Sequence, residues 1–207
     1  MSLLFEPLDV VLGGKAKVRL LRTLTTTDGV SARSLARDAG ITHMPALRAL
    51  EELVAAGIVH RSFSGRQHTF TLNRSNELVK RVVVPAFEYE ARRLHEVFQL
   101  ITDQVTSIRD RILGVYLFGS AARGEDAPGS DFDVLIVTRS AKVNESVNER
   151  APTLLEPLRS RYGLSPSVVT MSKAQLEELQ RGKHSLAVQL KRDGRTVTGA
   201  DLTEILR

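Results

Sequence analysis

The sequence predicts an α+β chain, on three observations. The first 72 residues read as three helices followed by two short alternating runs around a Ser-Gly pair. Residues 77–109 carry an apolar repeat of helical period. From residue 110 onward, β-branched apolar runs read as strands, with helical stretches between and after them. The expected division is 1–76, a helical connector over 77–109, and 110–207.

The helices follow from apolar spacing and stop signals. Lys15 to Thr25 places Ala16, Val18, Leu20, Leu21 and Leu24 among basic residues, and Asp28-Gly29 breaks the run. Ser31 is placed to cap a second helix, Ala32 to Ala39, with Leu35, Ala36 and Ala39 inward. Gly40 ends it, since glycine reaches the left-handed region without a Cβ clash. Thr42 is placed to cap a third helix, with Pro45 in its first turn and Leu50, Leu53 and Val54 inward. Ile58 to Phe63, Ser64-Gly65, and Arg66 to Leu72 then read as a β-hairpin.

Three helices and a hairpin in this order make a winged helix-turn-helix. Leu47-Arg48-Ala49-Leu50-Glu51-Glu52-Leu53-Val54-Ala55-Ala56-Gly57-Ile58-Val59 resembles the recognition helix and first wing strand of bacterial regulators of the arsenic-repressor and multiple-antibiotic-resistance types. The resemblance covers residues 15–72 and implies a third helix that enters the major groove by its N-terminal end. His43, Met44 and Arg48 are then base-side candidates, and Arg61, Arg66, Lys15, Lys17 and Arg33 phosphate candidates. Charge agrees with a double-stranded DNA partner. Residues 1–80 hold 11 Lys+Arg against 7 Asp+Glu, a net of +4; residues 81–207 hold 18 against 17, a net of +1.

In the connector, Pro85 is expected to kink or break the helix. Beyond it Phe87, Ala91, Leu94, Phe98, Ile101, Val105 and Ile108 form a heptad seam. Two uses compete for that seam: pairing with its twin in a homodimer, or packing on the adjacent domain as core.

The second half carries the chemistry. Ile112 to Phe118 reads as a buried strand, followed by Gly119-Ser120, a short helix with Arg123, and an acidic loop. A second strand begins at Asp131-Phe132-Asp133, ten residues after Ser120. Side chains alternate along a strand, so Asp131 and Asp133 face one side and can together hold Mg²⁺, while Phe132 faces the core. Gly119 lets backbone approach a phosphate, Ser120 opens a helix whose N–H groups favour an anion, and Arg123 adds a charged fork.

Phe118-Gly119-Ser120-Ala121-Ala122-Arg123-Gly124 with Ser130-Asp131-Phe132-Asp133-Val134 resembles the signature of the minimal nucleotidyltransferases of the DNA polymerase β superfamily. Leu190 to Gly199 is similar to the closing strand of those small domains. The resemblance implies Mg²⁺-dependent transfer of a nucleoside monophosphate from a nucleoside triphosphate to a hydroxyl. It implies that Asp131 and Asp133 are catalytic metal ligands and that Gly119, Ser120, Arg123 and Ser130 belong to the nucleotide site. The family also supplies a third carboxylate from a later strand. Here that strand is Ser165 to Met171; no Asp or Glu occurs from Pro157 to Gln175, and Ser167 stands about where the acid belongs.

The leading reading is therefore a DNA-binding regulator whose second domain binds Mg²⁺-nucleotide. One alternative is an active nucleotidyltransferase acting on a protein, RNA or small molecule, its winged helix autoregulating the operon. Another is a non-catalytic assembly module. The 207 residues include no cysteine, which excludes disulfides and thiolate metal sites and fits the cytoplasm. No signal peptide or apolar run of membrane-spanning length is read, and the five histidines show no metal-ligand spacing.

Overall fold

The computed structural model describes residues 2–65 and 67–207. The chain forms two compact units, Met1–Arg92 and Arg93–Arg207, each with its own core. The fold is α+β.

The first unit runs α1 (Pro7–Leu12), α2 (Lys15–Thr26), β1 (Val30–Ser31), α3 (Ala32–Asp38), α4 (His43–Ala55), β2 (Val59–Ser64) and β3 (Gln67–Leu72). Leu20, Leu21 and Leu24 of α2, Leu35 of α3, and Leu50 and Leu53 of α4 are fully buried and make one core with Phe70 and Leu72 of the wing. The Ser31 hydroxyl accepts from Ser34 N–H at 3.3 Å, the expected cap, and Gly40 takes φ +62°. Thr42 is the N-cap of α4 but accepts no side-chain hydrogen bond. The reason is local: Pro45 stands at the third helical position, where the cap would otherwise find an N–H. β1 pairs antiparallel with β3, Val30 opposite Phe70, so the wing sheet has the order β1-β3-β2. A two-residue strand is too short for periodicity to show it.

Pro85 does not break the connector. A π-helical stretch, Val79–Val83, precedes α5 (Val84–Gln104), and Val84 N–H bonds back to the Val79 carbonyl. The wider turn accommodates Pro85, which has no N–H to give to the turn before it. The boundary between the units falls within α5. The heptad seam is mostly used by the chain's own cores. Phe87 joins the first unit's core, and Ile101, Val105 and Ile108 join the second's. Ala91 and Leu94 remain exposed.

The second unit continues through a 3₁₀ turn (Val105–Ile108) to β4 (Ile112–Leu117), α6 (Gly119–Arg123), β5 (Asp131–Thr138), α7 (Asn144–Tyr162), β6 (Ser165–Ser172), α8 (Lys173–Arg181), α9 (Ser185–Asp193), β7 (Arg195–Gly199) and α10 (Leu202–Ile205). Its sheet has the order β6-β5-β4-β7; β5 and β6 are parallel, and β4 is antiparallel to both its neighbours. Val134 and Ile136 face the core that holds Ile101, Val147 and Leu155, while Leu135 and Val137 face the one that holds Leu176, Leu190 and Leu202. Helices thus cover both faces, and Asp131, Asp133, Ser165 and Ser167 lie at one end of the sheet. Among the described residues no helix is long and apolar enough to cross a membrane.

Candidate functional site

Four strand ends meet at that end of the second unit's sheet. β5 begins with Asp131 exposed, Phe132 buried at 4 % exposure, and Asp133 half-buried, the expected alternation. Asp131 pairs in register with Ser165 and Asp133 with Ser167. Phe118 N–H donates to the Asp133 carbonyl at 3.1 Å, which ties the turn into α6 to the acid-bearing strand.

Gly119 sits at that turn with φ +73°. A Cβ there would collide with Asp133 Oδ2 and stand 3.1 Å from its Cγ. The space expected for a phosphate beside Gly119 is thus shared with a carboxylate. Glycine is required both by the backbone angle and by the approach of Asp133.

Burial pushes the Asp133 carboxyl above its ordinary pKa, and the neighbouring Asp131 charge adds to the effect; a hydrogen bond from the Ser167 hydroxyl acts in the opposite direction. A carboxylate pair in that condition favours a cation. Two carboxylates and hydroxyls form an oxygen donor set that suits Mg²⁺, an ion that keeps water and substrate phosphates in its shell. Among the described residues no group of three or more His, Cys, Asp or Glu converges. The residues therefore fit a metal that arrives with a nucleotide, and do not fit one caged by protein alone. Ser167 is the register partner of Asp133 on the parallel neighbouring strand.

The remaining residues are more engaged than the sequence suggests. Arg123 Nε binds Glu125 at 2.6 Å, and its guanidinium reaches Asp193 at 3.5 Å. The Ser130 hydroxyl accepts from Ala127 N–H at 3.0 Å and closes the acidic loop on itself. Ser120 stands half-buried in α6, its carbonyl accepting from Glu125 N–H at 3.0 Å. Arg192, Asp193 and Arg195 were not legible as neighbours of α6. β7 brings them there, since Arg195 pairs with Leu117, and with Arg123 they line a hollow of about 450 Å³. Arg192 holds the Asp193 carboxyl below its ordinary range, chiefly through its hydrogen bond.

In the first unit, Arg33, His43 and Arg61 come together around a concavity of about 500 Å³ between α3, α4 and the wing. Met44 and Arg48 are exposed on α4, and Lys15 is exposed at the start of α2. His68 and Glu51 also line the concavity; wing pairing and helix phase put them there, and no motif marks them. Arg66 lies outside the described residues. Lys17 is a correction. It is only 7 % exposed, and its ammonium binds the Val10 carbonyl and Glu52 Oε2, each at 2.7 Å. With two of its three N–H donors engaged and its side chain 9 % exposed, the Lys17 ammonium is drawn back from the surface that a DNA phosphate would meet.

Residues 101–188 match the nucleotidyltransferase domain family. The matched stretch includes the Gly119 turn, both aspartates and Ser167. Solved structures similar to the chain include a toxin-antitoxin complex with AMP-PNP, at TM-score 0.37 and 18% identity, covering 53% of this chain and 80% of that one. They also include a MarR-family transcriptional regulator from Silicibacter pomeroyi, at TM-score 0.36 and 23% identity, covering 50% of this chain and 79% of that one. No curated protein matches the chain.

Proposed function

We propose that the chain is a cytoplasmic DNA-binding regulator whose nucleotidyltransferase domain binds a nucleoside triphosphate with Mg²⁺ without transferring it. The observation that carries this is the pairing of Asp133 with Ser167. Two carboxylates stand ready for a metal, and a hydroxyl stands where proton abstraction and a second metal would need a third. Serine is a poor base at neutral pH and a weak metal ligand.

In this reading Asp131 and Asp133 hold the ion, and the Gly119 turn leaves room for both carboxylate and phosphate. When bound, Mg²⁺ offsets the negative charge of the triphosphate. Arg123 and Arg195 supply positive charge on the β7 side of the turn. In the first unit His43, Met44 and Arg48 face bases, and Lys15, Arg33 and Arg61 face phosphates. Ser120 N–H is a phosphate donor at the start of α6, and Ser130 holds the loop that shapes the site's rim.

Calorimetric titration of ATP, GTP, CTP and UTP, with and without Mg²⁺, tests the nucleotide half. Magnesium-dependent binding is expected for at least one. Labelled nucleotide transferred by the protein to itself or to another acceptor, and lost in Asp133→Asn, would overturn the non-transferring reading. Gel retardation on DNA from the chain's own upstream region tests the other half. Retention of full affinity by Arg48→Ala/Arg61→Ala would remove the assigned DNA face.

A further inference from the structure

The sheet of the second unit has a second end, opposite the aspartates, and a cavity of about 470 Å³ opens there. The start of β4, the residue after β5 and the end of β7 meet at its floor, and the last turn of α5 with the 3₁₀ turn forms its wall. The floor is well held. Ala200 N–H donates to the Leu113 carbonyl at 2.9 Å, and the Tyr116 hydroxyl donates to the Ala200 carbonyl at 2.9 Å. Arg139 N–H donates to the Arg111 carbonyl at 2.9 Å, which fixes the backbone from which the Arg139 side chain leaves.

Two arginines, Arg109 and Arg139, are among the residues that line this cavity. No Asp or Glu is among the lining residues, and among the described residues neither arginine makes a salt bridge. The contrast with Arg123 and Arg192 at the other end is direct, for both of those are bound to acids. Val105, Ile112 and Leu113 supply apolar wall beside the two charges. The volume lies in the range of small-molecule sites and exceeds what an inorganic anion fills.

We propose that this cavity binds a small phosphomonoester. Its dianionic head lies between Arg109 and Arg139, whose forked donors suit phosphate oxygens. Its apolar or planar body lies against Val105, Ile112 and Leu113. The site is separate from the aspartate pair and needs no metal, so it stands whether or not the nucleotide reading above holds.

Calorimetry on the full chain, in the presence of a chelator, tests it with AMP, phenyl phosphate and inorganic phosphate as probes. AMP and phenyl phosphate are expected to bind wild type and Asp131→Asn/Asp133→Asn alike. Arg109→Gln/Arg139→Gln is expected to weaken both by about tenfold or more, the loss of charge-assisted bonds. Both arginine side chains are exposed at the cavity mouth, so the variant should melt like wild type. Leu113→Trp, which fills the cavity without changing charge, should weaken phenyl phosphate and spare inorganic phosphate. The proposal falls if neither organic probe binds, if the arginine variant binds them as wild type does, or if the aspartate variant alone loses them. Inorganic phosphate bound as tightly as phenyl phosphate would also overturn it, since the body would then have no site.

Discussion

Lys17 in the first unit and Asp133 in the second are both charged side chains drawn away from water, and their surroundings differ. The Lys17 ammonium is met by a carboxylate and a carbonyl, each at 2.7 Å. Asp133 is met by a like charge and one serine hydroxyl, and its pKa rises. A charge satisfied by the protein is structural; one left short of compensation marks a place for a ligand. Both residues entered the sequence reading as binding candidates; Lys17 is taken up by the first unit's own contacts, and Asp133 is the one for which a ligand is proposed. Replacing each, and its partners, should separate the two cases.

The largest effect is expected from Asp131→Asn/Asp133→Asn. Magnesium-dependent nucleotide affinity should fall by about a hundredfold or more, ~3 kcal/mol, in calorimetry, while the melting temperature does not fall. Unchanged affinity would break the comparison at its functional side. Gly119→Ala comes next. A non-glycine residue held at φ +73° against Asp133 should lose about 1–3 kcal/mol in chemical denaturation. Nucleotide binding should weaken with it.

Glu52→Ala tests the structural side. It leaves the Lys17 ammonium withdrawn with only the Val10 carbonyl as partner, a loss of about 1–2 kcal/mol in stability, reduced because Glu52 is itself 61 % exposed. DNA affinity in that variant should stay near that of wild type once the protein is folded; a large rise would show that the freed Lys17 ammonium reaches DNA. Ser167→Asp sharpens the contrast from the other direction. An added carboxylate beside Asp133 should raise magnesium affinity about tenfold, by ligand charge. Labelled nucleotide transfer should become detectable where wild type shows none. The smallest effect is expected for Lys15→Ala, which should lower the salt dependence of DNA binding by about one counterion without altering sequence preference.

Much of this molecule was readable from local pattern. Apolar spacing, Ser31, Gly40 and the Ser-Gly pair outline the helices and the wing, because each acts within a few residues along the chain. Alternation on β5 puts the two aspartates on one face, which needs no tertiary information. The absence of an acid between Pro157 and Gln175 was equally plain.

What tertiary structure alone decided depends on residues far apart in the chain. Burial of Lys17 required Glu52 of α4 to come alongside α2. The match of Asp133 to Ser167 is a strand register across 34 positions, and a shift of one residue would have put Ser167 on the other face. The heptad seam read as one strip, but its residues divide between two cores, since periodicity reports an apolar face and not what covers it. Arg123 met Asp193, and Arg109 and Arg139 came to line one cavity, only because β7 and the strand ends closed the sheet. Local sequence determines which faces are apolar or charged; pairing and packing determine which of those charges are satisfied.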